Sequence, residues 1–317
     1  MISVISVCFV KLLKFYPKYL WTSNPSIYIW AMCSMLKSLK QKPVYSTSNI
    51  EFYQADSRSF LKLLPSGLIQ SCITSPPYWG MRDYGISNQI GAESNIEDYI
   101  SDLVNIFLEV KRVMADDGLL WLNLGDTYTS GNRKWRDVDE KNKGRAMSYR
   151  PPTPHGLKSK DLIGLPWRVA FALQASGWYL RSDIIWNKPN CQPESVRDRP
   201  TRSHEYLFLF SKSLKYYYNQ NAIKILGENG ELKNIRTVWN INTVPYKEAH
   251  FAVFPPELIK TCMLASTKPN QIVLDPFLGS GTVAQVAYSL DRSLIGIDLN
   301  MDYIKLGIKR MNKLINT

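Results

Sequence analysis

Ser75, Pro76 and Tyr78, in the run Thr74-Ser75-Pro76-Pro77-Tyr78-Trp79, place a hydroxyl, a carbonyl and an aromatic ring within four consecutive residues. The segment before them, 68–74, reads as a short buried strand. Two prolines can neither continue its ladder nor sit in a helix interior, so the strand must stop there. In open α/β sheets the C-terminal strand edge is where ligands bind. The chemistry this suits is recognition of a flat group carrying an exocyclic amine. The Ser75 hydroxyl and the Pro76 carbonyl accept hydrogen bonds from an NH2, and Tyr78 stacks on the ring. Taken alone, such a run is more simply a Pro-Pro turn that ends a strand.

A second stretch changes that balance. Residues 272–282 read Ile-Val-Leu-Asp-Pro-Phe-Leu-Gly-Ser-Gly-Thr, followed by an apolar-periodic helix over 283–290 and a strand over 293–298 that ends in Asp298. The order is strand, glycine turn, helix, strand, acid. Gly279 and Gly281 let backbone approach a ligand where a Cβ would clash. Asp298 lies 23 residues past Asp275, where an acid accepts both ribose hydroxyls of a nucleoside. The full dinucleotide G-x-G-x-x-G is absent because Ala284 stands where the third glycine would fall and Gln285 follows it, which favours a nucleoside without a pyrophosphate.

Thr74-Ser75-Pro76-Pro77-Tyr78 upstream and Asp275-Pro276-Phe277-Leu278-Gly279-Ser280-Gly281 downstream together resemble the amino-methylating DNA methyltransferases. These enzymes transfer a methyl group from S-adenosyl-L-methionine to N4 of cytosine or N6 of adenine. Having the S-P-P-Y motif first and the cofactor motif last resembles their permuted, β-type order, and the likeness spans about residues 50–317. The resemblance implies an α/β fold: a Rossmann-like mixed sheet with helices on both faces, plus a basic DNA-binding arm. It implies that Ser75, Pro76, Pro77 and Tyr78 do the chemistry on a base flipped out of double-stranded DNA. Asp275, Phe277, Gly279, Ser280, Gly281, Thr282 and Asp298 would hold the cofactor. Asp56, after an expected strand over 50–56, would lie near the cofactor's adenine amine, or equally serve as an ordinary helix N-cap. Phe254 would wall the methionine part, or equally form a hydrophobic staple. Serine rather than aspartate or asparagine at position 75 resembles the cytosine-N4 group more than the adenine-N6 group. A protein-glutamine methyltransferase would carry Asn at the head of its P-P-Y corner, and an RNA amino-methyltransferase would share the pocket. A non-catalytic DNA-binding module would need neither the glycine turn nor Asp298.

These motifs need elements to hold them. The periodicity predicts helices over 59–64, 96–113, 166–175, 256–265 and 301–314, and strands over 119–124, 179–187 and 205–210. Asp117-Gly118 is expected to end the second helix. The chain of 317 residues carries 39 Lys/Arg against 27 Asp/Glu, a formal charge of +12, which favours a polyanionic partner. Half of that surplus falls in 131–160, where nine basic residues face three acids and Trp135 and Tyr149 are interleaved. Within an arm over 127–165, Arg133, Lys134, Arg136 and Arg145 are expected to grip phosphates. In the loop 188–202, Arg197, Arg199 and Arg202 are assigned to phosphates as well, the plainer alternative being salt bridges to Glu194 and Asp198. A small target-recognition region is expected over 219–249, within a methyltransferase domain over 49–317.

Five cysteines without a C-x-x-C and three distant histidines suggest neither a disulfide framework nor a metal site. A reducing cytoplasm is the expected compartment. Residues 1–48 fit the rest poorly, as a poor membrane span without a cleavage site, and are read as an accessory or upstream extension. A restriction endonuclease acting on the same site is the partner the family resemblance adds to DNA.

Overall fold

The computed structural model describes residues 41–130, 135, 150–244 and 254–316. Most of residues 1–48, together with Arg133, Lys134, Arg136 and Arg145 of the expected arm, lies outside the described residues. Alternating apolar residues build strands with two buried faces. In β4 (Met114–Leu124), Leu120, Leu122 and Leu124 face one core while Leu119 and Trp121 face the other. The same period of two runs through β6 (His204–Ser211), with Phe208 and Phe210 on one side and Leu207 and Leu209 on the other. Strands buried on both faces require helices on both faces.

The other strands of the main sheet are β1 (Tyr45–Ser46), β2 (Ile50–Gln54), β3 (Ile69–Thr74), β5 (Tyr179–Asn187), β9 (Val238–Asn240), β10 (Ile272–Asp275) and β11 (Ser293–Asp298). Among the described residues the main sheet runs β1-β2-β11-β10-β3-β4-β6-β5-β9. From β2 through β4 the pairing is parallel; β6 joins β4 and β5 antiparallel. Helix α2 (Ile96–Val113) buries Tyr99, Leu103, Phe107 and Val110 on the face shared with α3 (Leu165–Ala175). Helices α4 (Pro256–Ser266), α5 (Thr282–Ser289) and α6 (Met301–Ile315) cover the opposite face.

The strand order explains how distant motifs meet. The chain leaves β3 for β4 in one direction across the sheet, and leaves β10 for β11 in the other. Because β10 lies directly beside β3, with Leu274 opposite Cys72, the two crossovers diverge from this pair and open a crevice at its C-terminal edge. That is the topological switch point of a doubly wound sheet.

Several expectations are corrected. The strand β4 starts at Met114, immediately after α2, so Asp117-Gly118 lies within it, where the ladder with β3 shifts register. The first helix, α1, is only Ser57–Phe60, continued by a 3-10 turn over Leu61–Leu63. Tyr45–Ser46, assigned to the extension, is an edge strand paired with β2. The region 219–244 is less irregular than its polarity suggests: β7 (Ile225–Leu226) and β8 (Leu232–Lys233) form a hairpin and β9 extends the main sheet. Trp239, which falls within the expected recognition region 219–249, is buried with its ring centroid 6.3 Å from that of Trp121. No helix of the described residues is long and apolar enough to cross a membrane.

Candidate active site

At the switch point Thr74, the last residue of β3, donates its hydroxyl hydrogen to Asp275 Oδ1 at 2.7 Å, joining the two motifs across 201 residues of chain. Both side chains are fully buried or nearly so. Asp275 also accepts from the Phe277 N–H at 3.1 Å. Burial raises the Asp275 carboxyl to about 7; the two donors only partly offset it, and nearby Asp298 adds to the rise. The Cys72 thiol in the same strand is pushed well up, by burial and then by Asp275, so it is no thiolate nucleophile.

The motifs frame one cavity of about 360 Å³. Ser75, Pro76, Pro77 and Tyr78 line one part of it, and Asp56, Phe254, Asp275, Phe277, Gly279, Ser280, Thr282 and Asp298 line the other. Asp298 accepts from the backbone N–H groups of Gly279 and Asn300, each at 2.8 Å. Its carboxyl is nonetheless raised to about 6, because burial outweighs those donors. Among the described residues Ser280 Oγ is buried without a hydrogen-bond partner, as befits a group awaiting a polar ligand.

The two glycines differ in purpose. Gly281 does not line the cavity. Its φ is +76°, and a Cβ on it would lie 3.0 Å from Gly307 Cα, so it is required for close packing of α6 on the turn. Gly281→Ala is therefore expected to destabilise the fold by about 1–3 kcal/mol, through strain at positive φ and overpacking. Thermal unfolding checks this; an unchanged midpoint contradicts it.

Asp56 is both cavity wall and N-cap. Its carboxylate accepts from Arg58 N at 2.8 Å and pairs with the Arg58 guanidinium at 2.7 Å. The same guanidinium reaches Asp102 and, at 2.6 Å, the Asn88 carbonyl, tying the loop after the S-P-P-Y motif to the cavity rim. Tyr84 of that loop meets Tyr303 edge-on at 5.8 Å between centroids.

Tyr78 has partners that its local sequence did not indicate. A Cβ on Gly125 would lie 2.6 Å from Tyr78 Cε2, so the ring rests on the backbone at Gly125. Its hydroxyl donates to Glu205 Oε2 at 2.9 Å and accepts from Asn123 Nδ2 at 2.9 Å and from Ser75 Oγ at 3.2 Å. Asn123 and Glu205, at the cavity wall, were not singled out from the sequence, nor was Trp186 beside them. The signal available was modest: a lone amide at the end of an apolar strand, and an acid opening another.

Two of the three loop arginines are engaged within the protein. Arg199 pairs with Glu194 at 2.7 Å and lies 3.9 Å over the Tyr128 ring. Arg202 approaches Asp126 at 3.8 Å, while Asp198 pairs with Lys160 rather than with an arginine of its own loop. Arg197 is exposed. The salt-bridge alternative thus holds for Glu194. Among the described residues no group of three or more His, Cys, Asp or Glu could hold a metal ion.

Residues 69–309 match a family model described as DNA methylase, covering N6 and N4 methylases. The Type II methyltransferase M.SmaI of Serratia marcescens is 62% identical over 258 residues, 81% of this chain and 88% of that protein. M.Cfr9I of Citrobacter freundii is 59% identical over 259 residues, 82% of this chain and 86% of that one. Among solved structures, the cytosine-N4-specific PvuII DNA methyltransferase superposes with a TM-score of 0.67 at 19% identity, covering 88% of this chain and 94% of that chain.

Proposed function

The chain belongs to the N6/N4 DNA methylase family, and from that premise we propose that it methylates the exocyclic N4 amine of a cytosine flipped out of double-stranded DNA. S-adenosyl-L-methionine is the cofactor, and when bound it supplies an electrophilic methyl group. The partner implied by the Type II relatives is a restriction endonuclease acting on the same site, in the cytoplasm where the DNA lies.

The observation that carries the reading is the shared cavity: Ser75 and Tyr78 on one side, Gly279 and Asp298 on the other, coupled by the Thr74–Asp275 hydrogen bond. Asp298 would accept from the ribose hydroxyls, with Phe254, Phe277 and Tyr303 as apolar walls and the unpartnered Ser280 hydroxyl as a further contact. The residues fit a nucleoside: the lining carries the carboxylates of Asp56, Glu205, Asp275 and Asp298 and aromatic surface, and its two cations are Arg58, paired with Asp56, and Arg82. On the other side Ser75 Oγ and the Pro76 carbonyl accept the two N–H hydrogens of the amine. That arrangement draws the nitrogen lone pair out of conjugation and orients it, so catalysis comes from positioning and electrostatics without a covalent intermediate. The basic residues at 133–145 and Arg197 are assigned to DNA phosphates, where each lost contact weakens binding in a salt-dependent manner.

The choice of cytosine rests on serine at position 75, and one of the solved structures of similar fold is described as cytosine-N4-specific. Nucleoside analysis of DNA from cells expressing the protein in a methylation-free host tests it. N4-methylcytosine is the expected product; N6-methyladenine without it overturns the choice of base.

A further inference from the structure

Glu205 stands at the start of β6 with its carboxylate among four polar groups from four places in the chain. Lys188, just past β5, forms an ion pair with Oε1, and its side chain is only 15% exposed. Asn123, at the end of β4, donates to Oε2 at 2.6 Å, and the Tyr78 hydroxyl does so at 2.9 Å. His204 is its neighbour on the strand, with the Arg202–Asp126 pair beyond it. Burial acts to protonate Glu205, but the Lys188 charge and the hydrogen bonds from Lys188, Asn123 and Tyr78 outweigh it and hold the carboxyl below its usual range. Tyr78 is pushed well above the usual phenol range, by burial and then by Glu205. The pair is therefore an ionised acceptor facing a neutral phenol.

An ionised carboxylate has no hydrogen to give, and this fixes the direction of every bond behind it. Tyr78 must donate to Glu205. Asn123 must turn its NH2, not its carbonyl, toward the carboxylate. The Tyr78 oxygen is left to accept, so the Ser75 hydroxyl hydrogen points to Tyr78 at 3.2 Å. The remaining lone pairs of Ser75 Oγ are then the only hydrogen-bonding capacity it can offer a ligand.

We propose that Glu205 is a positioning residue that acts through Tyr78 to hold Ser75 as an obligate acceptor toward the substrate amine. This rests on the proposed role of Ser75, and it deepens that role by naming what prevents the hydroxyl from donating. A ring nitrogen or carbonyl presented at Ser75 finds no donor there, whereas an amine finds a fixed acceptor. Selection for an exocyclic amine is thus built in from a residue outside both motifs. Glutamine at 205 can donate from Nε2 to Tyr78, which releases the Tyr78 hydrogen toward Ser75 and turns the Ser75 hydrogen toward the substrate.

A double-mutant cycle on single-turnover methylation tests the coupling. Glu205→Gln is expected to slow the step by at least about tenfold while the dissociation constants for S-adenosyl-L-methionine and for duplex DNA stay within about threefold of wild type. Tyr78→Phe removes the link, so adding Glu205→Gln to it is expected to cost less than a further threefold or so. Multiplicative losses, or a Glu205→Gln enzyme as fast as wild type, overturn the proposal. If Glu205→Gln does not fold, Lys188→Met in a His204→Gln background reports instead. Losing the cation raises the Glu205 carboxyl, so the acid-side fall of the single-turnover rate moves to higher pH at saturating cofactor; an unmoved profile overturns the proposal. Adenine and cytosine present the same N–H hydrogens. Finding N6-methyladenine as the product would overturn the cytosine reading and leave the cycle to be judged by its own result.

Discussion

Ser75→Ala is expected to lower the single-turnover methylation rate by about 10²- to 10³-fold, the magnitude typical of deleting one fixed polar group at a reacting centre. The loss should fall on the chemical step. Ser75 is half-buried at the cavity wall, and among the described residues its one side-chain hydrogen bond is to Tyr78. Alanine therefore removes an acceptor from the amine without leaving a buried carboxylate unpaired, since Glu205 keeps Lys188, Asn123 and Tyr78. Gly279, in the turn after β10, and Asp298, at the end of β11, are untouched, so cofactor affinity should change by less than about threefold. Equilibrium binding of the cofactor beside rapid-quench turnover checks both halves. An equal loss in affinity and rate would show that Ser75 supports the fold of the pocket and not the reaction.

The contrast between Ser75 and Glu205 shows which parts of this site the sequence disclosed. Ser75 sits between a strand and two prolines, and that local grammar announces a strand end whatever the rest of the chain does. Gly279, Gly281 and Asp298 are likewise spaced along one strand-turn-helix-strand unit, whose geometry is set within about 27 residues of sequence. That these two units adjoin is a matter of strand order, which no local pattern encodes; the family resemblance supplied it, and the Thr74–Asp275 bond gives it a physical form. Glu205, Asn123 and Lys188 come from three different strands or strand ends, and each alone reads as an ordinary polar residue at a strand edge. Only the antiparallel register that puts Asn123 opposite Leu207 and Asn187 opposite His204 brings them together. The same limit explains Gly281, whose partner Gly307 lies on the last helix, and Trp239, whose burial depends on β9 pairing with β5. Where the reading relied on charge, as at Arg199 and Arg202, it could not anticipate Tyr128 and Asp126 as neighbours.

Asp298→Ala is expected to weaken S-adenosyl-L-methionine binding by about 10²- to 10⁴-fold, since hydrogen bonds to a charged group contribute about 1.5–3 kcal/mol each and two hydroxyls would be lost. The pH dependence identifies the cause. The carboxyl is raised to about 6 by burial, so without ligand it is charged above that value and protonated below it. The charged form accepts from both hydroxyls, so wild-type affinity should be full above about pH 6 and fall roughly tenfold per unit below it. In Asp298→Ala this slope should vanish and leave a weak, nearly pH-independent affinity. Folding stability carries the opposite sign. A carboxyl whose folded pKa exceeds its unfolded value of 3.8 binds its proton more tightly when folded. The free protein therefore gains from Asp298 on the acid side and loses that gain as pH rises through about 6. Ligand binding reverses this, because the bound site favours the ionised form, so the rise in thermal midpoint on adding cofactor should be larger at about pH 7.5 than at about pH 5. Asp275 titrates near 7 but is committed to Thr74 and the Phe277 N–H. If the acid-side slope persists in Asp298→Ala, the titration belongs to Asp275 and the ribose assignment to Asp298 fails.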